Sequence, residues 1–182
     1  MTYTNNDILK YFSFGNSKLK SNNKVQYMVF NLPAVKTCPF RTKDCERFCY
    51  ARKAEKMYPS VLPFREKNLA FSKSENFADI VQEMIISKYE KSCRKTNKKL
   101  VVRVHESGDF YNLEYYLKWY EIAQNIDAYN YATGSNILIQ GYTKSIMYLS
   151  EKNINTFDCA IFRGSIDASS DDYTKQLIKE FN

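Results

Sequence analysis

Four short apolar runs, VQYMVFNLP (residues 25–33), KLVVRVHE (99–106), NILIQGY (136–142) and DCAIFRG (158–164), alternate with stretches of helical periodicity. Strands separated by helices cannot close as tight hairpins, so the chain crosses over between them and the strands lie parallel. Helices are expected over 45–57 and 61–73, with Pro59 and Pro63 punctuating between them. ENFADIVQEMIISKYEKSCRK is the clearest helix: Phe77, Ile80, Val81, Met84 and Lys88 recur at helical spacing, and Ser74 offers an N-cap. LEYYLKWYEIAQNI after Asn112, a short segment near 145–152 and DDYTKQLIKEF complete the set. The fold class is α/β, with about four parallel strands, crossover helices and a cysteine loop after the first strand. That is half of a (β/α) barrel or a small open doubly wound sheet, and in either one ligands sit beyond the carboxyl ends of the strands.

A chain of 182 residues, 44% hydrophobic and 26% charged, suits one globular domain. No repeat or Pro/Gly linker divides it. The expected organisation is a single domain over 1–182: an extension over 1–24, a core over 25–168 and a C-terminal helix over 169–182. The extension carries a short amphipathic helix, NNDILKYF, followed by a loop, GNSKLKSNN. MTYTNNDILKYFSF lacks the basic and apolar regions of a signal peptide, and no run approaches a membrane span. The expectation is a cytoplasmic protein with no membrane partner. There thiols stay reduced, so five cysteines read as ligands or core residues and not as a disulfide framework.

Polar residues gather where each strand ends. The cysteine loop follows the first strand, and HESGDF follows the second with His105, Glu106, Ser107 and Asp109. YTKS follows the third with Tyr142 and Lys144, and RGS the fourth with Arg163 and Ser165. Alternation places Val102 and Val104 on one face of the second strand and Arg103 and His105 on the other. A buried strand tolerates such residues only with partners or a cavity. The plainer reading is an internal ion pair from Arg103 to Asp109 or Glu106; the functional one is a ligand site.

CPFRTKDCERFCYARK places Cys38, Cys45 and Cys49 within twelve positions. Clustered thiolates suit zinc or an iron–sulfur cluster at little loop-closure cost. C-x6-C-x3-C is a standard spacing for neither, and it leaves a fourth ligand open. His105, the one histidine, would complete a Cys3His zinc site, while an open position would suit a [4Fe–4S] cluster. Unligated thiols are the plainer alternative. Cys93 and Cys159 read as packing residues. No Gly-rich phosphate loop and no protease-like surroundings of a cysteine are present.

The net charge of +7 is uneven. Residues 1–103 hold 21 Lys/Arg against 9 Asp/Glu, and residues 104–182 hold 6 against 11. Such polarity points to an acidic partner, nucleic acid first, or to solvated helix faces. Arg41, Lys43, Arg47, Arg52, Lys53 and Lys56 are the candidate partner-binding residues, with Tyr and Phe interleaved.

NLP with TCPFRTKDCERFCYA, then VRVHESGDFYNLEYYLKWYEIA, then GYTKS, resembles the phage gene product 88-like family over about residues 24–168. That family looks like a distant relative of radical SAM proteins, which place a three-cysteine cluster loop after the first barrel strand. The resemblance implies Cys38, Cys45 and Cys49 as cluster or metal ligands. It marks Arg103, His105, Ser107, Gly108, Asp109, Tyr142, Thr143 and Lys144 as residues of the site face. The spacing here departs from the C-x3-C-x2-C of radical SAM enzymes, which argues against SAM as a cofactor.

A second resemblance, in length, charge and lineage but not in motif, is to phage inhibitors of type II-A Cas9, the anti-CRISPR proteins. It implies a counter-defence protein of the bacterial host cytoplasm that binds Cas9, DNA or both through the basic surface. Against it stand an iron–sulfur enzyme of radical SAM-like ancestry and a zinc-braced interaction module. A homodimer is a further expectation, because half a barrel exposes a sheet edge.

Overall fold

A computed structural model describes residues 3–14 and 24–181; the GNSKLKSNN loop lies outside the described residues. The sheet has four strands, β1 (Val25–Phe30), β2 (Lys99–Val104), β3 (Ile137–Thr143) and β4 (Ala160–Gly164). All pairings are parallel and the spatial order is β1-β2-β3-β4. Each strand thus pairs with the next one in sequence, which right-handed crossovers achieve by keeping their helices on one face.

Burial follows that rule. Met28, Phe30, Leu100, Val102, Val104, Ile137, Ile139, Ala160 and Phe162 all join one core. They pack against α5 (Phe77–Ser92), α6 (Leu113–Thr133) and α7 (Ile146–Glu151). Phe30 and Phe77 both meet the Trp119 ring, at centroid distances of 5.8 and 5.9 Å. On the opposite side Val29 and Val101 are covered, but toward β4 the sheet opens, with Tyr142, Ile161 and Arg163 exposed. The doubly wound alternative is therefore set aside: this is an unclosed, half-barrel-like sheet backed by helices on one face.

Both sheet edges are partly occupied. Ser13, after α1 (Asn5–Leu9), bridges antiparallel to Val29 on the outer edge of β1. At the β4 edge the Asn155 amide pairs with the backbone of Phe162, accepting from its N–H at 2.6 Å and donating to its carbonyl at 2.8 Å. Strand addition by a second copy meets these groups already taken.

Local chemistry moved several boundaries. The helix expected over 45–57 is two, α2 (Lys43–Arg47) and α3 (Tyr50–Met57), broken where Cys49 turns extended at φ −60°, ψ 104°. The next helix, α4, spans Val61–Ser72. Ser74 does not cap α5. Its hydroxyl bonds back to the Phe71 carbonyl at 2.8 Å, closing α4, and Asn76 takes the N-cap position. Asn112 caps α6 as its sequence suggests, accepting from Tyr115 N–H at 2.9 Å. Cys93 and Cys159 are buried packing residues. The chain closes with α8 (Asp172–Phe181). No described helix is long and apolar enough to cross a membrane.

Candidate functional site

The polar residues at the strand carboxyl ends divide into two groups. The first turns inward and binds the loops together. Ser107 donates its hydroxyl to the Leu32 carbonyl at 2.8 Å, and Leu32 N–H returns a bond to Ser107 at 2.9 Å. Asn31 accepts from the Glu106 and Ser107 amides at 2.8 and 3.0 Å. Gly108 sits at φ +85°, where an added Cβ would lie 2.6 Å from both Leu32 Cβ and Thr37 Oγ1. Asp109 is buried and accepts from the Thr143 hydroxyl at 2.5 Å and from the Lys144 and Phe110 amides at 2.8 Å each. Burial still pushes its carboxyl up to about 6 against these donors, because the charged form loses water.

His105 belongs to this inward group, contrary to the alternation expected of it. Its φ of +64° ends the strand and swings the ring to the helix side, where it meets Phe110 and Tyr115 at centroid distances of 5.0 and 5.7 Å. Nε2 shares a 2.9 Å hydrogen bond with the Tyr115 hydroxyl, and Nδ1 is buried without a partner among the described residues. Burial pushes the imidazole down to about 3, so it is neutral at physiological pH. Arg103 stays on the open side and pairs with Glu106 at 3.6 Å; of the two partners expected for it, this is the one formed.

Lys144 links the third strand end to the fourth. Its ammonium meets Asp167 at 2.8 Å and the Ser165 carbonyl at 3.2 Å. Thr42 also donates to Asp167, at 2.6 Å, while capping α2 by accepting from Cys45 N–H at 3.1 Å. Burial opposes ionisation of Asp167, yet the bonds from Lys144, Thr42 and Ser169 hold its carboxyl well below the usual range. The cysteine loop is thereby anchored to the end of β4.

Within that loop the three cysteines are half-buried neighbours. Burial pushes the Cys38 thiol up to about 12, with Asp109, Cys45 and Cys49 adding to the rise. Cys45 is raised by burial too, with Lys144 pulling it back and Cys49 pushing it further. A metal needs deprotonated donors converging on one point. Among the described residues no three His, Cys, Asp or Glu side chains form such a group. His105 is turned to the helix side against Phe110 and Tyr115, so it does not join the three thiols as placed.

The second group faces outward. Arg41 and Arg52 share Glu46, at 2.8 and 3.6 Å, and the Arg47 guanidinium lies 5.2 Å from the Phe48 ring centroid. Lys43, Lys53 and Lys56 are exposed and have no carboxylate partner among the described residues. Between these cations Phe48, Tyr50, Met57 and Tyr58 are exposed as well. The helical pair is held rigidly: Arg65 of α4 is buried, bonded to Glu55 at 2.7 Å and to the Ala51 carbonyl at 3.1 Å, and Glu55 accepts from Ala34 N–H at 2.8 Å. Tyr50 donates to the Glu106 carbonyl, tying α3 to the end of β2. Tyr142 and Arg163 lie beside Gln140 and Ile161 on the open sheet face. Asn31, Tyr50, Gln140 and Ile161 were not singled out in the sequence. For Gln140 and Ile161 the signal is the two-residue period that puts them on the face of Tyr142 and Arg163.

The chain is thus a half-barrel-like parallel sheet that carries a cysteine loop and a cationic, aromatic-studded helical pair at its strand ends. The chain belongs to the Gene product 88 family, whose model matches residues 10–180. It is similar to the Gene 88 proteins of mycobacteriophages L5 and D29, with 27% identity over 85 residues and 26% over 91. These matches cover 46% and 49% of this chain, and only 36% and 38% of the respective relatives. No solved structure matches. The family is a phage one, as the resemblance of the NLP, cysteine-loop, HESGD and GYTKS segments implied.

Proposed function

We propose that this protein binds nucleic acid through α2 and α3. The observation that carries the reading is the interleaving of Lys43, Arg47, Arg52, Lys53 and Lys56 with exposed Phe48, Tyr50 and Tyr58 on one buttressed helical pair. Cations neutralise phosphates and release counterions, while aromatic faces stack on any base. The buried Arg65–Glu55 pair supports the reading, because it fixes α3 against α4 before a ligand arrives. Glu46 organises Arg41 and Arg52 instead of cancelling the patch, since one carboxylate serves two guanidiniums.

The finer expectation, a counter-defence protein directed at a Cas9-type nuclease, uses the same surface against nucleic acid held by that nuclease. Phage relatives are its support. The experiment is a salt series of DNA and RNA binding on wild type and on a Lys53→Glu/Lys56→Glu variant. Affinity should fall with salt at close to one log unit per tenfold change for each phosphate contact, and the variant should show a slope shallower by about two. Equal slopes in both proteins would overturn the reading. Protection of target DNA from a guide-loaded nuclease, lost in the same variant, tests the finer expectation.

A further inference from the structure

The open side of the sheet carries a groove of about 320 Å³ lined by Arg103, Gln140, Tyr142, Ile161 and Arg163. Register fixes the arrangement. Arg103, Gln140 and Ile161 are neighbours across β2, β3 and β4, and Tyr142 stands beside Arg163 one pleat further toward the carboxyl ends. Parallel strands are ordinarily covered on both faces. Here Tyr142 is 59% exposed and Ile161 44%. Among the described residues the side chains of Gln140, Tyr142 and Arg163 form no hydrogen bond or ion pair, and Arg103 has only the 3.6 Å contact with Glu106. The polar groups around the exposed ring are thus free to exchange water for a ligand's hydrogen bonds without first breaking a contact within the fold.

The chemistry selects the ligand. A ring standing on a pleated sheet offers its face to a flat partner, and a primary amide beside it offers a donor and an acceptor to that partner's edge. Arg163 stands beside the ring on β4, and Arg103 stands one pleat back on β2, so fork-shaped anion donors lie on the two strands that flank β3. A flat heterocycle with hydrogen-bonding edges and an anion on either side is a nucleotide within a strand. The groove has the volume of a small ligand site, and its one exposed ring, Tyr142, offers a stacking face to a single base. It is also continuous with the helical pair, because Tyr50 of α3 bonds the Glu106 carbonyl and the Glu106 carboxylate meets Arg103.

We propose that the open sheet face is a single-strand platform, on which an unpaired base stacks against Tyr142, Gln140 reads its edge, and Arg103 and Arg163 hold the flanking phosphates. The proposal rests on the reading that α2 and α3 bind nucleic acid and adds to it the form of the ligand. A strand tracking along the cationic helices passes Tyr50 and drops one base into the groove. A duplex reaches the helices but keeps its bases stacked within itself.

Binding is measured by anisotropy with a labelled 15-nucleotide DNA, its RNA counterpart and the matched DNA duplex, using the full chain. Wild type should prefer a single strand to the duplex. Tyr142→Ala should weaken single-strand binding roughly tenfold or more while changing duplex affinity less than twofold, and Tyr142→Phe should restore it because the stacking face is retained. The DNA and RNA arms decide which strand is taken. Thermal unfolding checks that the exposed Tyr142 is replaced without loss of fold. An equal loss on single strand and duplex, or no loss on either, overturns the platform and leaves the helical reading standing. Absence of any binding by wild type overturns both.

Discussion

Thr143 donates its hydroxyl to Asp109 at 2.5 Å, bolting the end of β3 to the loop after β2. Two buried titratable groups stand within five residues on this second loop, and their effects on stability run in opposite directions. Burial raises Asp109 to about 6, above its value near 3.9 in an unfolded chain. Its contribution is full below about pH 4 and is lost as pH rises through 6. His105 is depressed to about 3 from roughly 6.5, so its contribution is present above about pH 6.5 and is lost as pH falls toward 3. Between about pH 4 and 6 the two slopes, each near 1.4 kcal/mol per pH unit, oppose one another. His105→Gln should therefore lose stability as pH rises across that window, and Asp109→Asn should lose it as pH falls. Thermal unfolding at four pH values checks this; parallel profiles for both variants would refute the assignment.

Gly108→Ala should destabilise the fold by roughly 2 kcal/mol or more. The positive φ alone costs on the order of 1 kcal/mol, and the new Cβ has no room between Leu32 and Thr37. Chemical denaturation should show a lowered midpoint with an unchanged slope. An unaltered midpoint would mean that the HESGD turn is less constrained than its geometry implies.

Arg65→Met should cost about 3–5 kcal/mol, because Glu55 is left as a buried charge with only the Ala34 amide for company. Adding Glu55→Leu to that variant should recover part of the loss, a coupling that a double-mutant cycle measures. The single variant should also weaken nucleic-acid binding, since α3 loses its buttress. Full binding by a destabilised Arg65→Met would separate the helical pair from the ligand.

Cys45→Ala should keep a cooperative transition within a few degrees of wild type, because the thiol is only half-buried and no hydrogen bond among the described residues ends on it. A thiol reagent at pH 8 should leave Cys93 and Cys159 unmodified until unfolding, given their exposures of 0% and 3% and thiols raised by burial. Stoichiometric iron or zinc in wild type, together with collapse of the fold in Cys45→Ala, would show instead that the loop closes around an ion.

The sheet was legible because each strand is a short apolar run with punctuation on both sides, and sequential parallel pairing follows from the helices between them. Alternation predicted Val102, Arg103 and Val104 correctly and failed one residue later. His105 leaves extended geometry at a positive φ, a conformation unusual outside glycine, and nothing in RVHESG announces it before the turn is built. The same limit applies to HESGDF as a whole. Its polar residues look like a site, but Ser107 and Asp109 satisfy backbone groups of neighbouring loops and Gly108 makes room for Leu32 and Thr37, all of which only tertiary structure brings near. Residues 45–57 carry helical propensity throughout and so read as one helix, yet Cys49 divides it in two, with Thr42 anchored to Asp167 on one side of the break and Tyr50 to Glu106 on the other. Gln140 and Ile161 were readable from period two once Tyr142 was placed, but each looks unremarkable alone.

The amide of Asn155 does at the rim of β4 what the backbone of a fifth strand would do in a larger sheet. One side chain thus supplies a donor and an acceptor at a position on β4 where a neighbouring strand would pair. Duplication or fusion of such a unit into a closed ring would first have to displace that amide. A strand arriving at this edge, from this chain or another, has to compete with that side chain for both backbone groups of Phe162.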